Sequence, residues 1–197
     1  WMGYKWTEPR SWYNRININF NQNIGFLSKK IEPIDETYQF ARFNVNANVQ
    51  SKKLWFLGVF SGYSFKQNDF YEPRTTGWFF KKGSSIDFGS WFESNDSKKY
   101  SYNVQLFTHK YLDFYDGFYL DLEFTHSYRF GNKLSVSQTI QYNPSYNNVG
   151  YVYVDGSADI DFAKRKVNTI EQVVNVKYNF NNKMGITFRA RHYVSSV

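Results

Sequence analysis

Three histidines, His109, His126 and His192, are the first candidates for chemistry in this chain of 197 residues. None lies at metal-ligand spacing from another, and no carboxylate is clustered beside them. His126 and Ser127 are adjacent, so on an extended strand their side chains point to opposite faces and cannot form a hydrolytic pair. The residues therefore predict no catalytic site, no metal site and no cofactor.

Carboxylates at short spacing are the second candidates. Asp121 and Glu123 lie two residues apart, and Asp87 and Glu93 share one face of another segment. Such a pair could serve a glycosidase. Carboxylates that alternate with apolar residues are more often paired with arginines of neighbouring strands, and the pattern favours that interpretation. The protein is therefore not expected to be an enzyme.

Composition excludes several classes of protein. The chain has 22% aromatic residues and no cysteine, and its longest apolar run, from Leu54 to Phe60, is far too short for a membrane-spanning helix. Disulfide scaffolds, thiolate metal sites and disordered chains are excluded. The net charge of +7 comes from scattered residues, and the aromatics fall largely on an apolar register, so no nucleic-acid partner is predicted.

Strict alternation of polar and apolar residues predicts long strands with two unlike faces. The clearest run, from Phe40 to Val49, places alanine, phenylalanine and valine on one face and arginine and asparagine on the other. We predict nine strands, at residues 13–26, 37–50, 54–66, 84–95, 99–112, 117–129, 133–143, 166–180 and 183–194. Most are about twice as long as a typical strand of a soluble domain.

The connections alternate between short polar turns and mostly longer loops. The predicted loops are 27–36, 67–83, 113–116 and 144–165. Alternating connections and long two-faced strands are typical of outer-membrane barrels. The predicted fold is therefore all-β, an antiparallel up-and-down transmembrane β-barrel. Nine is an odd count, so either one strand assignment is wrong, or residues 1–10 form a further strand, or more strands lie outside this sequence, which agrees with its start at Trp1. The predicted domain is a single barrel region, 1–197, with about 8–10 strands of a larger barrel.

The alternation assigns residues to the two faces of this sheet. The polar residues expected in the lumen are Arg15, Arg42, Asn44, Asn46, Asn48, Asp87, Glu93, Asp121, Glu123, Arg129, Arg189 and Arg191. The apolar residues expected against lipid are Ile16, Ile18, Phe43, Val45, Leu120, Leu122, Ile186 and Phe188.

Two segments carry a resemblance to a known family. They are Phe70-Tyr71-Glu72-Pro73-Arg74, followed by Gly77, and Phe188-Arg189-Ala190-Arg191-His192-Tyr193, together with the stretch 168–172. They resemble the C-terminal outer-membrane barrel region of a DUF5916-like Bacteroidota family that carries an N-terminal family-9-like carbohydrate-binding domain. The resemblance implies a bacterial outer-membrane location, and it places Glu72, Pro73 and Arg74 in a loop. It implies no catalytic residue.

The expected function is that of an outer-membrane pore, a membrane anchor or a subunit of a surface glycan-handling or secretion assembly. Its expected partners are outer-membrane lipid, other outer-membrane proteins and glycan. The alternative is a soluble or surface-held carbohydrate-binding β-domain, in which exposed loop aromatics such as Tyr71 and Trp78 bind sugar. A barrel hydrolase is the third hypothesis.

Overall fold

The computed structural model describes residues 1–30, 32, 35–113, 115–154 and 159–197. These residues form twelve β-strands, and the two-residue period of the sequence explains why. The strands are β1 Met2–Trp6, β2 Tyr13–Phe26, β3 Tyr38–Ser51, β4 Phe56–Ser64, β5 Gln67–Asp69, β6 Phe80–Lys82, β7 Ser85–Glu93, β8 Tyr100–Tyr111, β9 Phe118–Arg129, β10 Leu134–Val154, β11 Ile160–Asn181 and β12 Met184–Ser196. In this part of the chain no helix is long and apolar enough to cross a membrane.

Ten of these strands form one antiparallel up-and-down sheet in the order β1-β2-β3-β4-β7-β8-β9-β10-β11-β12. Each strand therefore pairs with its neighbour in sequence, except that β5 and β6 form a separate hairpin between β4 and β7. One end of the sheet carries the short connections 52–55, 94–99, 130–133 and 182–183. We call it the turn end, and the opposite end, which carries the connections 27–37, 65–84 and 112–117, the loop end.

All nine predicted strands are present, and the predicted additional strand within residues 1–10 is β1. The all-β, antiparallel up-and-down prediction is thus confirmed. Closure into a barrel was predicted as well, and the structure differs in this respect. Within the described residues, β1 and β12 are the two outermost strands of an open sheet, each paired on one side only.

The predicted loop at 144–165 is wrong for most of its length. Residues up to Val154 continue β10, and residues from Ile160 onward belong to β11, so this hairpin extends well past its neighbours at the loop end. Pro144 and Asn147 suggest a turn, but Pro144 pairs with Asn168 in the sheet, and a bulge between Ser145 and Asn148 accommodates Asn147 at φ 51°. Residues 155–158, like 31, 33, 34 and 114 in the other predicted loops, lie outside the described residues.

The two faces of the sheet have an unusual distribution of burial. Along β7, the polar-face residues Ser85 and Asp87 are 0% and 3% exposed, whereas the alternating Ile86 and Phe88 are 44% and 48% exposed. A strand of a water-soluble sheet normally shows the reverse, because burying apolar surface drives folding. The neighbouring strand β4 has the same pattern, so the middle of the sheet shelters its polar face and exposes its apolar face.

The total surface agrees with this inversion. The chain exposes 13236 Å², whereas a folded monomer of its mass exposes about 9,800 Å². A single sheet whose apolar face is not covered by a second layer of structure accounts for this excess of exposed surface.

Candidate functional site: the polar face and its loop end

A column of asparagines joins β2 to β3 on the polar face. Asn17, Asn19 and Asn21 donate side-chain hydrogen bonds to Asn48, Asn46 and Asn44 at 2.7, 2.9 and 2.9 Å. The partners lie directly opposite each other in the register. Since an amide both donates and accepts, each member of the column keeps polar groups available to water or a ligand.

A charge cluster joins β3, β7 and β8. The buried carboxylate of Asp87 accepts a hydrogen bond from Arg42 at 2.8 Å, and its other oxygen lies 2.6 Å from His109 Nδ1. Sequence reasoning expected no carboxylate beside any histidine, and this expectation is wrong for His109. The two residues are 22 positions apart, and only the strand register, which sets Asp87 opposite His109, brings them together.

Aromatic rings also lie on the polar face, where the alternation predicted few. Trp91 lies over Gly58 of the neighbouring strand, and Phe60 lies over Gly89, so that each strand supplies one ring and one glycine. A Cβ on Gly58 would come within 2.0 Å of the indole of Trp91, and one on Gly89 within 2.1 Å of the ring of Phe60. The glycines are therefore required for the rings to lie flat on the sheet.

Phe107 and Tyr119 extend this arrangement across β8 and β9. The ring centroids of Phe60 and Phe107 are 5.9 Å apart, and those of Phe107 and Tyr119 are 6.0 Å apart. We call the four rings of Phe60, Trp91, Phe107 and Tyr119 the aromatic platform. It crosses the polar face diagonally and ends near the loop end.

The substitution Gly89→Ala should displace the ring of Phe60. We expect the free energy of unfolding to fall by about 1–3 kcal/mol, because the added methyl group overpacks the site. Equilibrium unfolding in urea measures the change. Gly150→Ala is the matched control, since its nearest side-chain contact would be at 3.4 Å. Equal stability of the two variants would contradict the close packing.

Residues 65–84, which contain β5 and β6, form a flap that crosses the loop end of the polar face. Tyr151 of β10 donates its backbone N–H to the Glu72 carboxylate at 3.0 Å, and Arg74 lies 5.0 Å from the centre of the Tyr151 ring. Phe80 packs on Phe162 of β11 with the ring centroids 4.5 Å apart. The flap therefore leaves the sheet between β4 and β7 and contacts it again at β10 and β11.

Inside the flap, Lys82 donates to Asp69 at 2.6 Å. Burial alone would raise the pKa of Asp69, but hydrogen bonds from Lys82 and from the backbone of Glu72 and Tyr71 outweigh it and lower this pKa. For Lys82, burial lowers the pKa, and the bond to Asp69 outweighs that effect and raises it. Both shifts favour the ion pair across neutral pH.

Acidification should loosen the flap. Because the folded-state pKa of Asp69 is lowered, its contribution is complete above the ordinary aspartate pKa and is lost as the pH falls through the lowered value. We expect hydrogen exchange of flap amides, corrected for intrinsic rates, to accelerate at acidic pH. In Asp69→Asn this acceleration should disappear. An identical pH dependence in both proteins would contradict the role of the pair.

A cleft of about 360 Å³ lies under the flap at the loop end. Its polar lining comes from three places, namely the flap, the strands β8 and β9, and the extended hairpin of β10 and β11. The lining includes Glu72, Lys82, His109, Tyr119, Asn148 and Arg165. Burial raises the pKa of the nearby Tyr115 far above its usual value, so this phenol stays neutral. Among the described residues, no group of three or more His, Asp and Glu could hold a metal ion.

The other predicted polar residues lie on the same face in the observed register. Arg15 lies 5.5 Å from the centre of the Phe56 ring, Gln141 donates to Asp121 at 3.1 Å, and Arg191 pairs with Glu171 at 2.7 Å. Arg129 donates to the carbonyls of Asp96 and Lys98 at the turn end. Glu93, Glu123 and Arg189 complete this face.

The predicted apolar residues lie together on the opposite face. Five of the eight are more than a third exposed: Ile18 41%, Val45 49%, Leu122 38%, Ile186 59% and Phe188 61%. Ile16, Phe43 and Leu120 are partly covered by their neighbours. Of the predicted loop residues, Glu72 and Arg74 hold the flap on β10, and Pro73 is fully buried.

Comparison with known families gives one match. The sequence matches the family described as a domain of unknown function, DUF5916, over residues 1–197. The chain belongs to the DUF5916 family. This confirms the resemblance at the level of the family, while the barrel region and the bacterial group that the resemblance implied stay predictions. The match supplies no activity, because the family is described as one of unknown function. No curated protein and no solved structure matches the chain.

Proposed function

We propose that this DUF5916 chain is part of an outer-membrane β-barrel, with its apolar face against lipid and its polar face against an aqueous interior. It would act as a pore, a membrane anchor or a subunit of a surface assembly, and it would catalyse no reaction of its own. The observation that carries this proposal is the inverted burial of β7, with Asp87 sheltered and Phe88 exposed. Soluble monomers rarely expose apolar patches larger than a few hundred Å².

Aromatic side chains at both ends of the apolar face support the proposal. At the turn end, Trp12 stacks on Trp55 and Trp55 on Phe92, each with ring centroids 5.9 Å apart. Toward the loop end, Tyr63 packs against Phe65 with centroids 5.0 Å apart. In the rows between these groups, aliphatic residues such as Ile18, Val45 and Val59 lie beside Phe20 and Phe88. Aromatic girdles around an aliphatic band are typical of sheets that cross a bilayer.

The distribution of charge supports it as well. The carboxylates Asp87, Glu93, Asp121, Glu123 and Glu171 all project from the polar face.

The lengths of the strands also support the proposal. The strands β8 and β9 have 12 residues each, which exceeds the roughly 9–11 residues that a tilted strand needs to cross the hydrocarbon.

The proposal requires that another strand pairs with each of the two open edges of the sheet, β1 and β12. In hydrocarbon each unpaired backbone group costs several kcal/mol, so an edge inside a bilayer must be paired. Ten strands alternate in direction, which makes β1 and β12 antiparallel to each other. Closure by this pair, or by an even number of added strands, is therefore compatible with an antiparallel barrel.

Membrane fractionation tests the proposal. The chain should sediment with outer membranes and require detergent for extraction. After reconstitution in vesicles, protease should cleave the exposed flap, and the strands should be protected. A chain that is monodisperse in buffer without detergent would overturn the proposal.

A carbohydrate-binding β-domain is the second candidate, and the cleft under the flap is the observation that favours it. Tyr111, Tyr119 and Tyr146 line this cleft beside amide and charged groups. Aromatic faces beside hydrogen-bonding groups are suited to saccharides. Solubility without detergent, together with sugar binding, would favour this candidate over the first.

A further inference from the structure

We propose that the aromatic platform on the polar face binds a neutral oligosaccharide by stacking pyranose rings on Trp91, Phe60, Phe107 and Tyr119. The inference rests on the carbohydrate-binding candidate, names its ligand class and extends its site from the cleft under the flap onto the aromatic platform. It requires only that water reaches the polar face, which holds whether the opposite face contacts lipid or not.

The geometry of the rings is the first argument. Trp91 and Phe60 lie over glycines of the adjacent strands, so one face of each ring covers backbone and the other is directed away from the sheet. Each of the four platform rings is partly exposed. A saccharide presents C–H groups on the face of its ring, and an aromatic surface laid flat receives such a face.

The polar groups beside the platform are the second argument. Asn46 and Asn48 of β3 lie opposite Phe60 and Gly58, and Gln105 of β8 lies opposite Trp91. On the other side Asp121 of β9 lies opposite Phe107. Amides and carboxylates are groups that hydrogen bond to sugar hydroxyls, and here they stand along both margins of an apolar strip.

The position of the platform is the third argument. Tyr119, at its loop-end limit, also lines the cleft under the flap together with His109. A chain of sugar units could therefore lie on the platform and continue into the cleft. Side chains that served only to fill the space above the polar face would not need to form a row of rings from the middle of the sheet to the loop end.

Charge selects the kind of saccharide. Asp121 lies beside the platform, and Glu123 lies next to it on the same face. Carboxylates without an adjacent arginine repel a uronate or a sulfated sugar. Arg42 and Arg191 of this face are paired with Asp87 and Glu171, and Arg129 donates to carbonyls at the turn end. Arg15 and Arg189 lie on β2 and β12, outside the four strands that carry the platform. Neutral sugars are therefore the expected ligands.

Isothermal titration of the detergent-purified full chain with maltohexaose, cellohexaose and a galacturonate hexamer tests the inference. At least one of the two neutral hexamers should bind, and more tightly than the acidic hexamer. Phe107→Ala should weaken binding about tenfold, because a stacking partner is lost; this corresponds to about 1.4 kcal/mol. Phe107→Tyr should restore it, and it also guards against a folding defect.

Leu106→Ala is the matched control, since Leu106 is the next residue on β8 and projects from the apolar face. It should bind the hexamer like the unmodified chain. Absence of binding by both neutral hexamers, tighter binding of the acidic hexamer, or unchanged affinity in Phe107→Ala would each overturn the inference. Because detergent extraction and vesicle protection are measured separately, a chain that inserts in membranes but binds no sugar would contradict this inference alone.

Discussion

Val45→Arg should lower the free energy of unfolding by about 2–4 kcal/mol, measured by urea titration of the chain folded into phospholipid vesicles. Val45 is 49% exposed and lies near the middle of β3 on the apolar face. If hydrocarbon covers this face, the substitution places a guanidinium near the centre of the bilayer. An exposed valine in water would tolerate the same change within about 0.5 kcal/mol.

Asn46→Arg is the matched control on the adjacent residue. Asn46 projects from the polar face and accepts a hydrogen bond from Asn19 at 2.9 Å. Its loss should cost about 1 kcal/mol, and the new charge should remain hydrated. A cost for Val45→Arg no larger than that for Asn46→Arg would show that lipid does not contact the apolar face. The pair of variants therefore tests the central step of the proposed function.

The alternation of residue types was sufficient to predict nine strands of the main sheet and their faces, but not the hairpin of β5 and β6 or the extension of β10 and β11. Runs such as Phe40 to Val49 admit one interpretation, because a one-residue shift would move every polar side chain to the apolar side. The segment from Leu54 to Phe60 was harder to interpret, since both of its faces carry apolar residues. The structure explains this pattern, because Phe60 and the neighbouring Trp91 belong to the aromatic platform and need glycines opposite them.

Contacts between distant segments could not be predicted from one sequence. The distance between Asp87 and His109 depends on the register of β7 against β8, which alternation alone does not set. Glu72 and Tyr151 are 79 residues apart, and their contact depends on the path of the flap across the sheet. A glycine opposite an aromatic residue in the next strand is the signal that could have located the platform, once the register was known.

Arg42→Met should destabilise the chain by about 3 kcal/mol, because it leaves a buried carboxylate short of one partner. Asp87 is 3% exposed, and its two oxygens are bound by Arg42 and His109. The methionine can occupy the volume of the arginine stem, so the loss reports charge compensation more than packing. Urea unfolding in vesicles measures it.

Two further variants separate this effect from the loss of any arginine on the polar face. Arg15→Met removes a guanidinium that lies 5.5 Å from the Phe56 ring and should cost only about 0.5–1 kcal/mol. The double variant Arg42→Met with Asp87→Asn should recover most of the lost stability, because no uncompensated charge is then buried. If Arg42→Met instead matches Arg15→Met, His109 alone compensates Asp87, and the cluster does not depend on its arginine.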